Sequence, residues 1–82
     1  MFYTYVLFSP NFNKIYIGQT ADLEKRLISH NETGNGYTAR FRPWQLVYYE
    51  VFYDRASAIR REKQLKGGQG RAWIRSEIIA KP

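Results

Sequence analysis

Runs of apolar residues divide the chain into three predicted strands joined by polar segments. Residues 2–8 and 14–18 are dense in aromatic and β-branched side chains, which favour strands. Residues 9–13 between them hold a proline and two asparagines, which supply turn chemistry. A third run, residues 45–53, is almost continuously apolar, which is typical of a central strand covered on both faces. The pattern therefore predicts a hairpin followed by a buried third strand.

Three further segments carry the apolar spacing of helices. The first is predicted to begin at a Thr20 cap and to end near Asn31. The second is capped by Asp54 and ends where three glycines fall among residues 67–70. It spans Arg55 to Lys66. The third is predicted from about Arg71 to Ala80, and its core-facing residues would be Ala72, Trp73, Ile74, Ile78 and Ile79.

Length and composition fit one small domain and limit its chemistry. The 82 residues are 44% hydrophobic and 17% aromatic, so large rings would supply much of a small core. The lack of cysteine excludes disulfides, thiolate metal sites and a cysteine nucleophile. The sequence shows neither a signal peptide nor a long apolar span, which favours a cytoplasmic protein without membrane contact. We expect a mixed α/β fold in a single domain over residues 1–82: a three-stranded, mainly antiparallel sheet flanked by three helices.

The charge of the chain indicates an anionic partner. The formal net charge is +6, and most of the 13 basic residues follow residue 54. The phosphates of a nucleic acid would neutralise such a surface, although a solvated helix face that maintains solubility would show the same charge.

The predicted hairpin carries two tyrosine triplets that resemble the GIY-YIG nuclease superfamily, in particular its small stand-alone members. Tyr3-Thr4-Tyr5 stands for the first triplet and keeps its final tyrosine, while Tyr16-Ile17-Gly18 matches the second letter for letter. Ten residues, 6 to 15, separate them, which suits the family spacing. The stretch 61–66 also looks like the glutamate-bearing segment of these members. The resemblance implies a metal-dependent endonuclease that hydrolyses DNA phosphodiester bonds.

The resemblance also implies the catalytic residues, which we expect on one face of the sheet. They are Tyr5, Tyr16, Arg26, His30 and Glu62. Tyr5 resembles the proposed general base, and Arg26, a metal and the basic surroundings would lower its pKa. Tyr16 would hydrogen-bond the phosphate or the attacking water, and His30 would relay a proton. Glu62 would hold one divalent ion, Mg²⁺ or Mn²⁺, with no small-molecule cofactor.

Without the family, the same residues have simpler interpretations. Arg26 and His30, four residues apart, could be ordinary surface residues of a helix, and Glu62 could pair with Lys66 one turn later. Ile74 also stands where many members carry asparagine, although Gln69 could supply the missing amide group. This departure favours the alternative of a weak or inactive nucleic-acid-binding domain. A protein-interaction module, with packed tyrosines and charge for solubility, is a further alternative.

A polar loop over residues 31–42 mixes rings with guanidinium groups, a combination that can stack bases and hold phosphates. Phe41 could equally pack beneath the loop. The expected nucleic-acid-binding residues are Tyr37, Arg40, Phe41, Arg42, Lys66 and Arg71. We expect single-stranded or branched DNA rather than a specific sequence, in DNA repair, recombination or processing.

Overall fold

A three-stranded antiparallel sheet forms the centre of the computed structural model, which describes residues 1–80. The strands are β1 (Phe2–Ser9), β2 (Lys14–Thr20) and β3 (Gln45–Phe52), in the order β2-β1-β3. The hairpin of β1 and β2 is confirmed. The prediction of a central third strand is wrong, because β1 takes the middle place and buries four consecutive residues while β3 lies at an edge. The apolar run of β3 instead leaves Tyr49 and Val51 about half exposed.

Alternating side chains of the sheet form two cores on its opposite faces. On one face Tyr5 and Leu7 pack with Trp44 against the first helix. On the other face the core contains Val6, Ile15, Ile17, Leu65 and Ile74, which join the sheet to the last two helices. The mixed α/β architecture with three helices is therefore confirmed.

Helix α1 (Leu23–Ile28) is capped by Asp22, whose carboxylate accepts a hydrogen bond from the Lys25 amide at 3.0 Å. The predicted cap, Thr20, is wrong, because β2 extends to Thr20, which pairs with Tyr3. The Thr20 hydroxyl instead accepts a hydrogen bond from the Asp22 amide at 3.1 Å. The helix continues as a π-helical turn over Ser29–Thr33.

Helix α2 (Arg55–Lys66) begins at the predicted Asp54 cap, which accepts from the Ser57 amide at 2.7 Å. Helix α3 (Gly68–Trp73) begins three residues earlier than predicted and continues as a π-helical turn over Ile74–Ile79. The predicted end of α2 at Lys66 is confirmed, with Gly67 as its C-cap, and α3 begins directly after that glycine. Gly70 of α3 packs closely on α2. A Cβ on Gly70 would lie 2.5 Å from the Cα of Leu65.

The predicted core side of the last helix is partly right. Ile74 is buried, and Ile78 and Ile79 pack against the same core. Ala72 and Trp73 are exposed, and the Trp73 ring packs edge-on against Tyr48 at the surface rather than in the core. The basic residue Lys81 lies outside the described residues. No helix within residues 1–80 is long and apolar enough to cross a membrane.

Candidate active site

The hairpin register places the Tyr5 ring directly across Gly18. The two residues are paired on β1 and β2, and Tyr5 is only 1% exposed. A Cβ on Gly18 would lie 2.6 Å from the Tyr5 hydroxyl oxygen, well inside van der Waals contact. The glycine of the second triplet therefore provides the space through which the Tyr5 hydroxyl reaches the α1 side of the sheet.

A short chain of hydrogen bonds leads from this hydroxyl into the loop that precedes β3. The Tyr5 hydroxyl is 2.8 Å from Nε2 of His30, and Nδ1 of His30 is 3.0 Å from the Thr38 hydroxyl. Trp44 Nε1 donates to the Thr38 carbonyl at 2.8 Å and so fixes the position of that residue. Thr38 carries no signal in the sequence beyond its place in the loop, because a hydroxyl bound to a ring nitrogen has no motif.

Burial is the main cause of the pKa shifts of the hydrogen-bonded residues Tyr5 and His30. It raises the pKa of Tyr5 to about 12, although the Arg26 guanidinium beside the hydroxyl acts in the opposite direction. The expectation of a lowered Tyr5 pKa is therefore wrong for this protein without ligands. Burial, and then the positive charges of Arg26 and Arg42, lower the pKa of His30. At neutral pH His30 is therefore a neutral imidazole that can accept a proton.

A polar cleft of about 260 Å³ opens next to these residues. Its lining residues are Tyr16, Arg26, Ser29, His30, Gly34, Asn35, Tyr37 and Thr38. The Tyr16 ring is centred 4.8 Å from the His30 ring and 6.4 Å from the Tyr5 ring. Three of the five predicted catalytic residues thus line the cleft, and the buried Tyr5 stands directly behind it.

The loop that forms one wall of the cleft is held by Arg42. Its Nε donates to the His30 carbonyl at 2.6 Å, and its Nη2 donates to the carbonyls of Ser29 and Gly34 at 3.2 and 2.6 Å. These bonds also satisfy carbonyls at the end of the first helical segment. The structure therefore gives Arg42 a structural role, and its predicted phosphate contact stays a prediction.

Glu62 differs from the other predicted catalytic residues in its position. It stands on α2, which packs on the face of the sheet opposite α1, and it does not line the cleft, so its place in one site with Tyr16 and Arg26 stays a prediction. Its negative charge nevertheless contributes to the raised pKa of Tyr5. A Glu62 carboxylate oxygen is 2.7 Å from Nζ of Lys66. This is the ion pair with the residue one helical turn later that the sequence suggests when the family is left aside.

The described residues do not form a metal site built from several protein ligands. Residues 1–80 contain no group of three or more His, Asp or Glu side chains that could hold a metal ion together. Mg²⁺ commonly keeps several waters and binds through one or two carboxylates together with substrate phosphates. The Glu62 carboxylate is paired with the Lys66 ammonium, which a metal ion would have to displace. The donor set is thus compatible with an ion completed by substrate.

The other predicted binding residues fall into two groups. Tyr37, Arg40 and Phe41 lie together beside the cleft, in and before a 3-10 turn over Thr38–Phe41. Lys66 is the last residue of α2 and Arg71 lies in α3, where its Nε donates to the Lys66 carbonyl at 3.1 Å. Gln69 lines a different cleft with Arg61 and Trp73, and Ile74 is fully buried in the core.

Comparison with known proteins defines the class of this fold and site. The family model of the GIY-YIG catalytic domain matches residues 1–74, so the chain belongs to the GIY-YIG family. A UPF0213 protein from Staphylococcus saprophyticus is 45% identical over 53 residues, which cover 63% of this chain and 65% of that protein. A UPF0213 protein from Bacillus pumilus is 40% identical over 65 residues, which cover 78% of this chain and 65% of that protein. The chain thus spans about two thirds of these relatives.

A solved structure supports the fold independently. The solution NMR structure of a UPF0213 protein from Bacillus halodurans matches with a TM-score of 0.55 at 24% identity. The match covers 93% of this chain and 84% of that one. Family membership supports a nuclease-type function and a nucleic-acid substrate, and the residues around the cleft belong to the part of the chain that the family model covers.

Proposed function

We propose that this protein is an endonuclease that hydrolyses DNA phosphodiester bonds in the cleft beside Tyr16. The observation that carries the proposal is the meeting of Tyr16, Arg26 and His30 in one cleft, with Tyr5 hydrogen-bonded behind them. Each group supplies something that phosphate hydrolysis requires. Arg26 would neutralise phosphate charge, and the partly buried Tyr16 would hydrogen-bond the phosphate or the attacking water.

Proton transfer is the role we propose for the buried chain of Tyr5, His30 and Thr38. The attacking water must lose a proton as its oxygen bonds to phosphorus. Both ring nitrogens of neutral His30 are hydrogen-bonded, Nε2 to the Tyr5 hydroxyl and Nδ1 to the Thr38 hydroxyl. The proton would therefore reach the ring by relay: the Thr38 hydroxyl, which lines the cleft, would accept it and pass its own proton to Nδ1, while Nε2–H donates to the Tyr5 oxygen. Tyr5 with a pKa of about 12 is a poor base by itself, so we assign it to positioning and relay.

A divalent ion, Mg²⁺ or Mn²⁺, would be held by Glu62 after release of Lys66, with waters and a substrate phosphate as its other ligands. When bound, such an ion would stabilise negative charge on the phosphate and the leaving oxygen. Glu62 is the residue we propose as the metal ligand. No group of three or more His, Asp or Glu side chains gathers within residues 1–80, which favours one ion rather than two.

The substrate proposed is single-stranded or branched DNA without a specific sequence, cut in repair, recombination or processing. The charge of +6 supports binding to a polyanion. We propose that the protein acts on such DNA in the cytoplasm. A weak or inactive binder is the second candidate. It is favoured by Ile74, whose complete burial leaves a hydrophobic side chain where many family members carry asparagine.

The test is cleavage of end-labelled single-stranded, branched and duplex DNA with Mg²⁺, Mn²⁺ or EDTA. Wild type, Glu62→Gln and Arg26→Gln are compared with Glu24→Gln, an exposed carboxylate at the start of α1. We expect metal-dependent cutting by wild type and Glu24→Gln, with at least a hundredfold loss in the other two. If wild type binds DNA with steep salt dependence but never cuts, the inactive-binder proposal replaces the nuclease.

A further inference from the structure

We propose that the β1–β2 turn and the 3-10 turn together form a stacking platform for unpaired DNA bases. The platform consists of Phe12, Tyr37 and Phe41, flanked by Lys14 and Arg40. The proposal rests on the proposed function in one respect, because it takes the neighbouring cleft to hold a phosphate of the same strand.

Rings from two distant parts of the chain meet in this platform. The Phe12 ring is centred 5.3 Å from the Phe41 ring at an interplanar angle of 74°, and the Tyr37 ring lies 4.9 Å from Phe41 on the 3-10 turn. Phe41 packs against the core below, whereas Phe12 and Tyr37 are 48% and 50% exposed. The alternative of Phe41 packing beneath the loop is thus realised, and the two outer rings are left open to a ligand.

Positive charges border these rings. The Lys14 Nζ lies 5.3 Å from the centre of the Phe41 ring, and the Arg40 guanidinium carbon lies 6.0 Å from it. A purely apolar partner would remove these cations from water without providing a counter-charge, which is unfavourable. Unpaired nucleotides instead offer a flat ring for each aromatic face and a phosphate for each cation.

The turn that carries Phe12 is held in place before any ligand binds. Asn13 adopts a left-handed conformation with φ of 54°. Arg75, from the C-terminal helical segment, donates to the Asn13 side chain at 2.8 Å and to its carbonyl at 3.1 Å. Because the turn is already ordered, binding needs little further ordering of the backbone.

Tyr37 makes the platform continuous with the candidate active site. It packs on Phe41 and also lines the cleft with Tyr16 and Arg26. A strand with a phosphate at Arg26 would therefore lead its adjoining bases onto Tyr37 and then Phe12. Bases inside a duplex are stacked on one another and cannot use these rings, so the platform selects unpaired strands.

The test measures binding by fluorescence anisotropy in EDTA, so that cleavage is not required. The probes are a labelled oligothymidylate, an abasic strand of the same length and a matched duplex. Phe12→Leu and Tyr37→Leu are compared with Tyr53→Leu, a control ring that is 89% exposed beyond the end of β3. We expect the wild type to prefer oligothymidylate, and each platform variant to lose about fivefold or more in affinity for it but little for the abasic strand.

Two results would overturn the platform: wild type binding the abasic strand as tightly as oligothymidylate, or both platform variants matching Tyr53→Leu. The first comparison needs no variant, and thermal melting shows whether each variant folds. The assays distinguish failure of the proposed nuclease function from failure of the proposed platform. Base-dependent binding without cutting would refute the nuclease alone, whereas Glu62-dependent cutting without base dependence would refute the platform alone.

Discussion

Replacing Gly18 with alanine should displace the Tyr5 ring and damage both stability and activity. The added Cβ would be 2.6 Å from the Tyr5 hydroxyl oxygen and 2.8 Å from the ring carbon that bears it. Ordinary contact begins at 3.4 Å, so the ring or the backbone of β2 must move. The ring has little freedom, because Tyr5 is 1% exposed and its hydroxyl is bound to His30.

The size of both effects can be estimated from this geometry. Forcing extra atoms into a packed core destabilises by about 1–3 kcal/mol, and we expect Gly18→Ala to fall in that range. A movement of the hydroxyl by much of an ångström would also lengthen its 2.8 Å bond to His30. Misplacement on this scale reduces rates by roughly a hundredfold.

The matched control is Gly68→Ala at the first residue of α3, where an added Cβ would meet no atom within 4 Å. Both variants would be examined by urea denaturation and by the DNA cleavage assay. The double variant Tyr5→Phe/Gly18→Ala should recover part of the stability, because the closest contact disappears while the 2.8 Å contact remains. If Gly18→Ala unfolds and cuts like Gly68→Ala, the close approach of Tyr5 to β2 is wrong.

Three further predictions concern charged groups. The folded pKa of His30 lies below its ordinary 6.5, so the unfolded chain takes up that proton first and stability should fall as the pH drops below about 6.5. Thermal melting from pH 7.5 to 5 should show a flatter dependence of the melting temperature on pH for His30→Gln than for wild type, and an equal dependence would contradict the assignment. Arg42→Gln should lower the free energy of unfolding by about 2–4 kcal/mol in urea titrations, since three carbonyls lose a charged donor, while Arg40→Gln should change it little. Lys66→Met should bind Mn²⁺ several-fold more tightly in electron paramagnetic resonance titrations because it removes the ammonium from Glu62; unchanged affinity would show that the pair does not compete with the ion.

Local features of the sequence predicted the parts of the fold that depend on neighbouring residues. The turn residues between β1 and β2 and the Asp54 cap act within a few positions, and both were correctly predicted. The errors came from long-range contacts. Pairing of β2 with β1 keeps Thr20 in the strand, and the last helix begins within the glycine-rich stretch, where Gly70 packs closely on Leu65.

The candidate site shows the same division. The family resemblance implies Tyr16, Arg26 and His30 as site residues, and the structure brings these three together in one cleft. The sequence does not indicate Thr38 or the role of Arg42, since both depend on a loop folding back over the end of the first helical segment. An arginine next to rings in a loop looks the same whether it donates to a phosphate or to its own backbone.

The protonation of Tyr5 illustrates why pattern alone could not assign its role. Its environment follows from the hairpin register, which pairs Tyr5 with Gly18 and Leu7 with Tyr16. A slip of one residue would turn Tyr5 toward the opposite core, because successive side chains alternate between the faces. The observed register buries the Tyr5 ring over the glycine, raises its pKa, and leaves Tyr16 as the tyrosine that lines the cleft. The two tyrosines of the motif are therefore chemically different, and only Tyr16 is placed to touch a substrate.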